Sequence, residues 1–226
     1  MKSVYDATDL PLEDEHYYDY IVIGGGTAGC PLAATLSEKY SVLVLERGGA
    51  PNSHPNVLHF GGFFANLMQE EDHEGDDTPA QRFTSEDGVE NVRGRVLGGT
   101  SMINAGFYSR ADEEFFSEMG IKWDMDSVEK AYEWVEDTIV SQLRLPLWQS
   151  AVKEALLEAG VGPDNEFNLN HKLGTKFAGS TFDQAGRRHG AVELLNRADF
   201  ERLRVAVRAT VERIIFSAEA SSNFVS

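Results

Sequence analysis

An α/β fold with a doubly wound parallel sheet is what this sequence predicts, on three observations. Tyr20–Ile23 is a short apolar run stopped by Gly24, which suits a strand buried on both faces of a parallel sheet. Residues 28–40 carry Ala28, Leu32, Ala33 and Leu36 at helical spacing, with Pro31 tolerable because it falls in the first turn. Residues 41–46, "SVLVLE", are short, apolar and β-branched, a second strand. Strand, helix and strand in immediate succession make a right-handed crossover unit.

Between the first strand and the helix lies Gly24-Gly25-Gly26-Thr27-Ala28-Gly29, which satisfies G-x-G-x-x-G. Gly24 permits a tight turn, Gly26 leaves the backbone open to a pyrophosphate, and Gly29 lets the helix sit close on the sheet. A phosphate would rest against the free amides at the helix start, where the dipole favours negative charge. Glu46 ends the second strand 22 residues after Gly24, placed to accept hydrogen bonds from an adenosine ribose. The motif in this setting predicts a Rossmann-like unit that binds an adenosine dinucleotide.

Bulk composition narrows the partners. Of 226 residues, 42% are apolar and 25% charged, an ordinary globular balance. Lys plus Arg number 20 against 37 Asp plus Glu, a net charge of −17 that repels phosphate backbones and anionic lipid, so neither nucleic acid nor membrane is an expected partner. No apolar stretch is long enough to cross a bilayer, and the amino terminus has no core of signal-peptide length. The acidic run at residues 70–77 lacks metal-ligand spacing and is read as a solvated loop, so no metal is expected. Cys30 is the single cysteine and is read as helix packing.

A second glycine segment, "GRVLGGTSMINAGFYSRADEEFFS" at residues 94–117, offers further unobstructed amides at Gly98 and Gly99, then small side chains suited to lie along a flat ring system. At Gly94, Arg95, Leu97, Gly98, Gly99, Thr100, Ser101, Ile103, Asn104, Tyr108, Ala111 and Ser117 it resembles the first signature of the glucose-methanol-choline family of FAD-dependent oxidoreductases. Within that family the chain is most similar to the plant (R)-mandelonitrile lyases, through strings such as "GGGTAGCPLAATLS", "NVRGR", "LGGTSMINAG" and "YEWVEDTIV". The likeness weakens over residues 49–80 and 141–190.

The resemblance implies FAD as cofactor, against the NAD that the generic motif alone would equally suit. It places Thr27 and Ala28 at the pyrophosphate, Glu46 with Arg47 at the adenosine, and Val211 at the adenine. Val96 and Thr100, with Asn104, Ala105, Gly106 and Phe107, would run beside the flavin. It further implies a longer parent acting on a small cyanohydrin or alcohol: a lyase that leaves the flavin oxidised, or an oxidoreductase on CH–OH donors. Family members in plants are often secreted or vacuolar. Members of the family are longer, and their catalytic histidine region lies near the carboxyl end. His16, His54, His59, His73, His171 and His189 fall in none of its catalytic contexts and are read as surface or loop residues, so no catalytic residue is nominated and the chain alone is expected to be an inactive part.

Further along, Val128, Tyr132, Val135 and Ile139 form the packing stripe of a helix from about residue 126, and a second helix over residues 146–159 carries Leu147, Ala151 and Ala155 on one face. Leu203, Val205 and Val207 alternate as a strand with one face more apolar, and residues 212–217 read as another. "GVGPDN" at residues 160–165 does not match the family's second signature. The expected organisation is a cofactor-binding region at residues 1–120, a partial substrate region at 121–198, and strands of 199–226 returning to the first sheet. Such an incomplete sheet is expected to expose an apolar edge.

Overall fold

The computed structural model describes residues 3–9, 17–68 and 77–216. Strand β1 (Val4–Asp6) precedes the crossover unit of β2 (Tyr20–Ile23), α1 (Gly29–Ser37) and β3 (Val42–Leu45). Then come α2 (Phe63–Leu67), the pair β4 (Ala80–Thr84) and β5 (Glu90–Gly94), the short β6 (Phe107–Tyr108), and helices α3 (Glu113–Glu118), α4 (Met125–Ile139) and α5 (Leu147–Glu158). Strand β7 (Asp164–Phe167) pairs with β8 (Thr175–Phe177), β9 (Gly179–Ser180) pairs with β6, and β10 (Leu203–Val207) follows.

The main sheet has the order β1-β10-β3-β2, all neighbours parallel. Val205 stands beside Val4 on one side and Val44 on the other, and Val44 beside Val22, so one face is a row of valines. Val22, Val42, Val44, Leu203, Val205 and Val207 pack there against Cys30 and Ala33 of α1 and against Leu194 and Leu195 of a 3-10 turn over Ala191–Arg197. Burial of each large member contributes about 1.5–3 kcal/mol. Because β10 is central, Ala206 on its other face is buried as well, and its alternation is less one-sided than the sequence suggests.

Three expectations need correction. Strand β2 is not buried on both faces: it ends the sheet among the described residues, and Ile21 and Ile23, on the face away from α1, are 57% and 50% exposed. The inward face of α1 is Cys30, Ala33, Ala34 and Ser37, whereas Ala28 and Leu32 look outward. The helix lies so near the strands at Gly29 that only small side chains fit beneath it. Residues 212–216 form no strand, and Ile214, Ile215 and Phe216 are exposed; an apolar run with no neighbouring strand to complete its hydrogen bonds stays irregular. Ser217 and the residues after it lie outside the described residues, as do His16, His73 and most of the acidic run.

Cys30 is fully buried, its thiol donating to the Gly25 carbonyl at 3.2 Å. Burial pushes its pKa up to about 12, so almost no thiolate exists near neutrality. Iodoacetamide at pH 8 is therefore expected to leave the folded chain unlabelled and to modify it fully in denaturant, as mass spectrometry would read; rapid native labelling would contradict the packing role.

The remaining helices pack as side layers. In α4, Val128, Tyr132 and Val135 are half-buried and Ile139 is buried, matching the predicted stripe, while Trp134 meets the core with the Arg197 guanidinium 5.2 Å over its ring. Arg110 forks onto Glu136 (2.6 and 2.7 Å), reaches Glu129 (2.6 Å) and lies over the Tyr132 ring. Tyr108 donates to Glu136 at 2.9 Å and the Ala111 amide to Tyr132 at 3.1 Å. Two residues of the second glycine segment's signature thus tie it to α4. In α5 no residue is fully buried: Leu147, Ala151 and Ala155 face solvent, Ser150, Lys153 and Leu157 are half-buried, and Val152, Lys153 and Leu156 line a cavity.

Candidate functional site

A cleft of about 390 Å³ opens at the carboxyl ends of β2 and β3. Ligands of open α/β sheets sit at such strand ends. Gly24, Gly26, Thr27, Glu46, Arg47, Thr100 and Val211 all line it. So do Gly99, singled out above for its amide, and Arg93, Gly94, Ala209 and Thr210, which the sequence reading did not place at the cofactor. Arg93 and Gly94 stand in the "NVRGR" string quoted above, and Ala209 and Thr210 directly precede Val211, so adjacency was the available signal.

The first glycine turn works as its spacing predicts. Gly24 takes φ +94, a left-handed value open to glycine, and its amide donates to the Leu45 carbonyl at 2.8 Å. A Cβ on Gly29 would sit 1.9 Å from the Gly24 oxygen. Among the described residues no acceptor is bonded to the N–H groups of Gly26, Thr27 and Ala28. Those are unsatisfied donors at the start of α1, suited to phosphate oxygens.

The second glycine turn leans directly on the first. A Cβ on Gly99 would come within 2.7 Å of the Gly26 Cα, and Gly98 N–H donates to the Gly25 carbonyl at 2.6 Å. Gly99 N–H donates to the Val96 carbonyl at 2.7 Å. The sequence suggested free donors at Gly98 and Gly99, but both amides are engaged: that of Gly98 ties the second turn to the first, and that of Gly99 closes its own turn. Thr100 accepts the Gly94 amide at 3.1 Å, and Val96 is fully buried behind the cleft wall, bridged to Gly49. Ala28, exposed at the start of α1, and Gly29 are not part of the lining either.

Glu46 is buried, and both of its oxygens are engaged: one accepts Gly25 N–H at 2.9 Å, the other Gly48 N–H at 2.8 Å. Each carboxylate oxygen keeps a second lone pair, so a ribose hydroxyl can still be accepted. Arg47 and Arg93 both donate to the Gln81 side-chain oxygen, at 2.7 Å and 3.1–3.2 Å, which fixes two cations at the rim.

The segment carrying Val211 is held by Arg208. This residue takes φ +56, its amide donates to the Gly48 carbonyl at 2.9 Å, and the next amide donates to the Glu46 carbonyl at 2.8 Å. Its guanidinium bonds Asp77 and Asp6, and those hydrogen bonds raise its pKa. Asp77, the last residue of the acidic run, is therefore paired rather than simply solvated, and His54 Nε2 lies 3.4 Å from it. His54 sits in a turn, as expected, but with its side chain only 9% exposed. His189, in a loop, is held between Glu193 at 2.9 Å and Asp183 at 3.6 Å.

Ala105, Gly106 and Phe107 line a second cavity of about 600 Å³, walled otherwise by Phe60, Val152, Leu156 and Phe182. Gly106 takes φ +78, and a Cβ there would strike the Phe182 ring at 2.5 Å. Phe107 is 86% exposed. Asn104 stands beside them, its side-chain oxygen accepting Gly106 N–H at 3.0 Å. Among the described residues no cluster of His, Cys, Asp and Glu could hold a metal, and no helix is long and apolar enough to cross a membrane.

Comparison with known proteins agrees with this geometry. The family model described as GMC oxidoreductase matches residues 18–224. The chain is 59% identical over 217 residues to (R)-mandelonitrile lyase 1 of Prunus serotina, covering 96% of this chain and 38% of that protein. It is 58% identical over 224 residues to a sinalpyl alcohol oxidase of Nesocodon mauritianus, covering 98% and 39%. The chain thus spans well under half the length of these relatives. Among solved structures, a pyridoxine 4-oxidase from Mesorbium loti superposes with a TM-score of 0.63 at 23% identity, covering 85% of this chain and 42% of that one. A formate oxidase variant from Aspergillus oryzae gives a TM-score of 0.64 at 17% identity, covering 91% and 41%.

Proposed function

Because the chain belongs to the GMC oxidoreductase family and its cofactor is FAD, we propose that it is the FAD-binding amino-terminal part of a flavoenzyme of the (R)-mandelonitrile lyase kind. The observation that carries the cofactor assignment is the contact between the two glycine turns over one cleft, Gly26 against Gly99. In this reading the amides of Gly26, Thr27 and Ala28 take the pyrophosphate, Glu46 the adenosine ribose beside Arg47, and the backbone at Val211 the adenine. Gly24 and Gly29 shape the turn, Val96 backs it, and Thr100 with Asn104, Ala105, Gly106 and Phe107 runs along the flavin. The proposed division is residues 1–120 for the cofactor, 121–198 for part of a substrate region, and 199–226 returning to the sheet; the place of β10 between β1 and β3 supports the last of these.

For the whole protein we favour cleavage of a cyanohydrin to an aldehyde and cyanide, supported by the 59% identity to a mandelonitrile lyase. The 58% identity to an alcohol oxidase supports the second reading, oxidation of an alcohol. Bound FAD would supply the electron acceptor in the second and stay oxidised in the first. The test is to mix the FAD-loaded full-length protein, without oxygen, with benzaldehyde cyanohydrin and with an aryl alcohol in turn. Cyanide release with the yellow colour unchanged is expected; bleaching by the alcohol with no cyanide would replace the lyase by the oxidoreductase. The 226-residue chain assayed alone should do neither, and turnover by it would refute its role as the cofactor-binding part.

A further inference from the structure

Arg188 is only 4% exposed, in a chain of net charge −17, and among the described residues no carboxylate pairs with it. Burial alone lowers its pKa, to about 10, so the guanidinium remains charged at neutrality. A buried cation without a counter-ion is costly unless its donors are satisfied in good geometry. They are, and the acceptors are informative. Nε donates to the Val57 carbonyl at 3.1 Å; Nη1 donates to the Ser101 carbonyl at 3.2 Å and the Asn104 side-chain oxygen at 2.8 Å; Nη2 donates to the Asn104 carbonyl.

Three of these four bonds grip one short stretch, and Asn104 passes the constraint on by accepting Gly106 N–H. The guanidinium itself is clamped: it lies 4.1 Å over the Phe182 ring, the ring that Gly106 needs its missing side chain to approach. The Arg188 amide is fixed as well, donating to the Leu58 carbonyl at 2.8 Å. A planar fork with several donors can hold a carbonyl, a side-chain amide and a further carbonyl at once; a lysine ammonium cannot reproduce that pattern.

We propose that Arg188 is the positioning residue for the flavin-facing segment at residues 101–107, setting its course through Ser101, Asn104 and Gly106. This rests on the reading that the segment faces the flavin. The test uses the 226-residue chain and the variants Arg188→Lys and Arg188→Met, with amide hydrogen exchange read residue by residue and FAD affinity from quenching of flavin fluorescence. Arg188→Lys keeps charge and length, so it remains informative if Arg188→Met fails to fold.

In Arg188→Lys, exchange should rise about tenfold or more at residues 101–107 while α1 and β3 keep their protection. FAD affinity should fall about tenfold, since a loosened segment must be ordered on binding. Unchanged exchange at residues 101–107, or a rise spread evenly over the whole chain, would overturn the positioning role. Local loosening with unchanged FAD affinity would instead overturn the placing of the segment beside the flavin. Failure of the unsubstituted chain to bind FAD would count against the cofactor reading, and the exchange data would still decide the role of Arg188.

Discussion

Gly29→Ala should unfold the crossover unit, costing roughly 4 kcal/mol or more where a typical substitution costs about 1. The new Cβ would stand 1.9 Å from the Gly24 oxygen, 3.1 Å from its carbonyl carbon and 3.3 Å from Val22 Cγ1. None of these can step aside. Gly24 is locked in a left-handed turn with its amide bonded to Leu45, and Val22 lies in the sheet. The helix would have to retreat instead, opening the layer of Cys30, Ala33 and Ala34 that was cut small to fit the close approach. Urea denaturation followed by circular dichroism measures the loss. Gly61→Ala, where nothing lies within 4 Å of the added carbon, is the comparison and should stay within about 0.5 kcal/mol of the parent. A Gly29→Ala protein as stable as that control would mean the turn and helix are not in contact as described.

Glu46→Gln should cost about 2–3 kcal/mol, because both carboxylate oxygens receive backbone N–H groups and a carboxamide has only one oxygen. Whichever way the amide is turned, its NH2 meets either Gly25 N–H or Gly48 N–H, donor against donor, in a buried place. The same change should weaken FAD binding, since the turn bearing Gly26 and the strand end bearing Arg47 lose the group that joins them. The urea midpoint and a fluorescence titration with FAD report the two effects separately. A midpoint unchanged by the substitution would show that Glu46 does not bind the two loops.

What could be read from the sequence was what is local. The crossover unit was legible because Gly24, Gly29 and two β-branched runs act within a few positions of one another, and α4 because its stripe repeats over a full helix. The hairpin of β4 and β5 passed unnoticed although it carries an ordinary turn signal, Asp87-Gly88, with Gly88 at φ +83. Strand β1 offered no pattern in three residues. The face of α1 was misjudged because Leu32 outweighs Cys30 and Ala34 in any hydrophobic count, while the close approach at Gly29 favours size over hydrophobicity. The second cavity could not be foreseen at all, since Phe60, Gly106, Val152 and Phe182 meet only after folding. Arg188 shows the same limit: its acceptors at Val57, Ser101 and Asn104 lie far from it along the chain.

The order β1-β10-β3-β2 has a consequence during synthesis. Strands β1, β2 and β3 leave the ribosome long before residues 203–207 are made, yet β10 belongs between β1 and β3, with Val205 flanked by Val4 and Val44. A nascent chain that paired its first and third strands directly would have to part them again to admit the late arrival. Chain elongation therefore sets the earliest moment at which this sheet can assemble, and until then the valines of β3 wait without their interior neighbour.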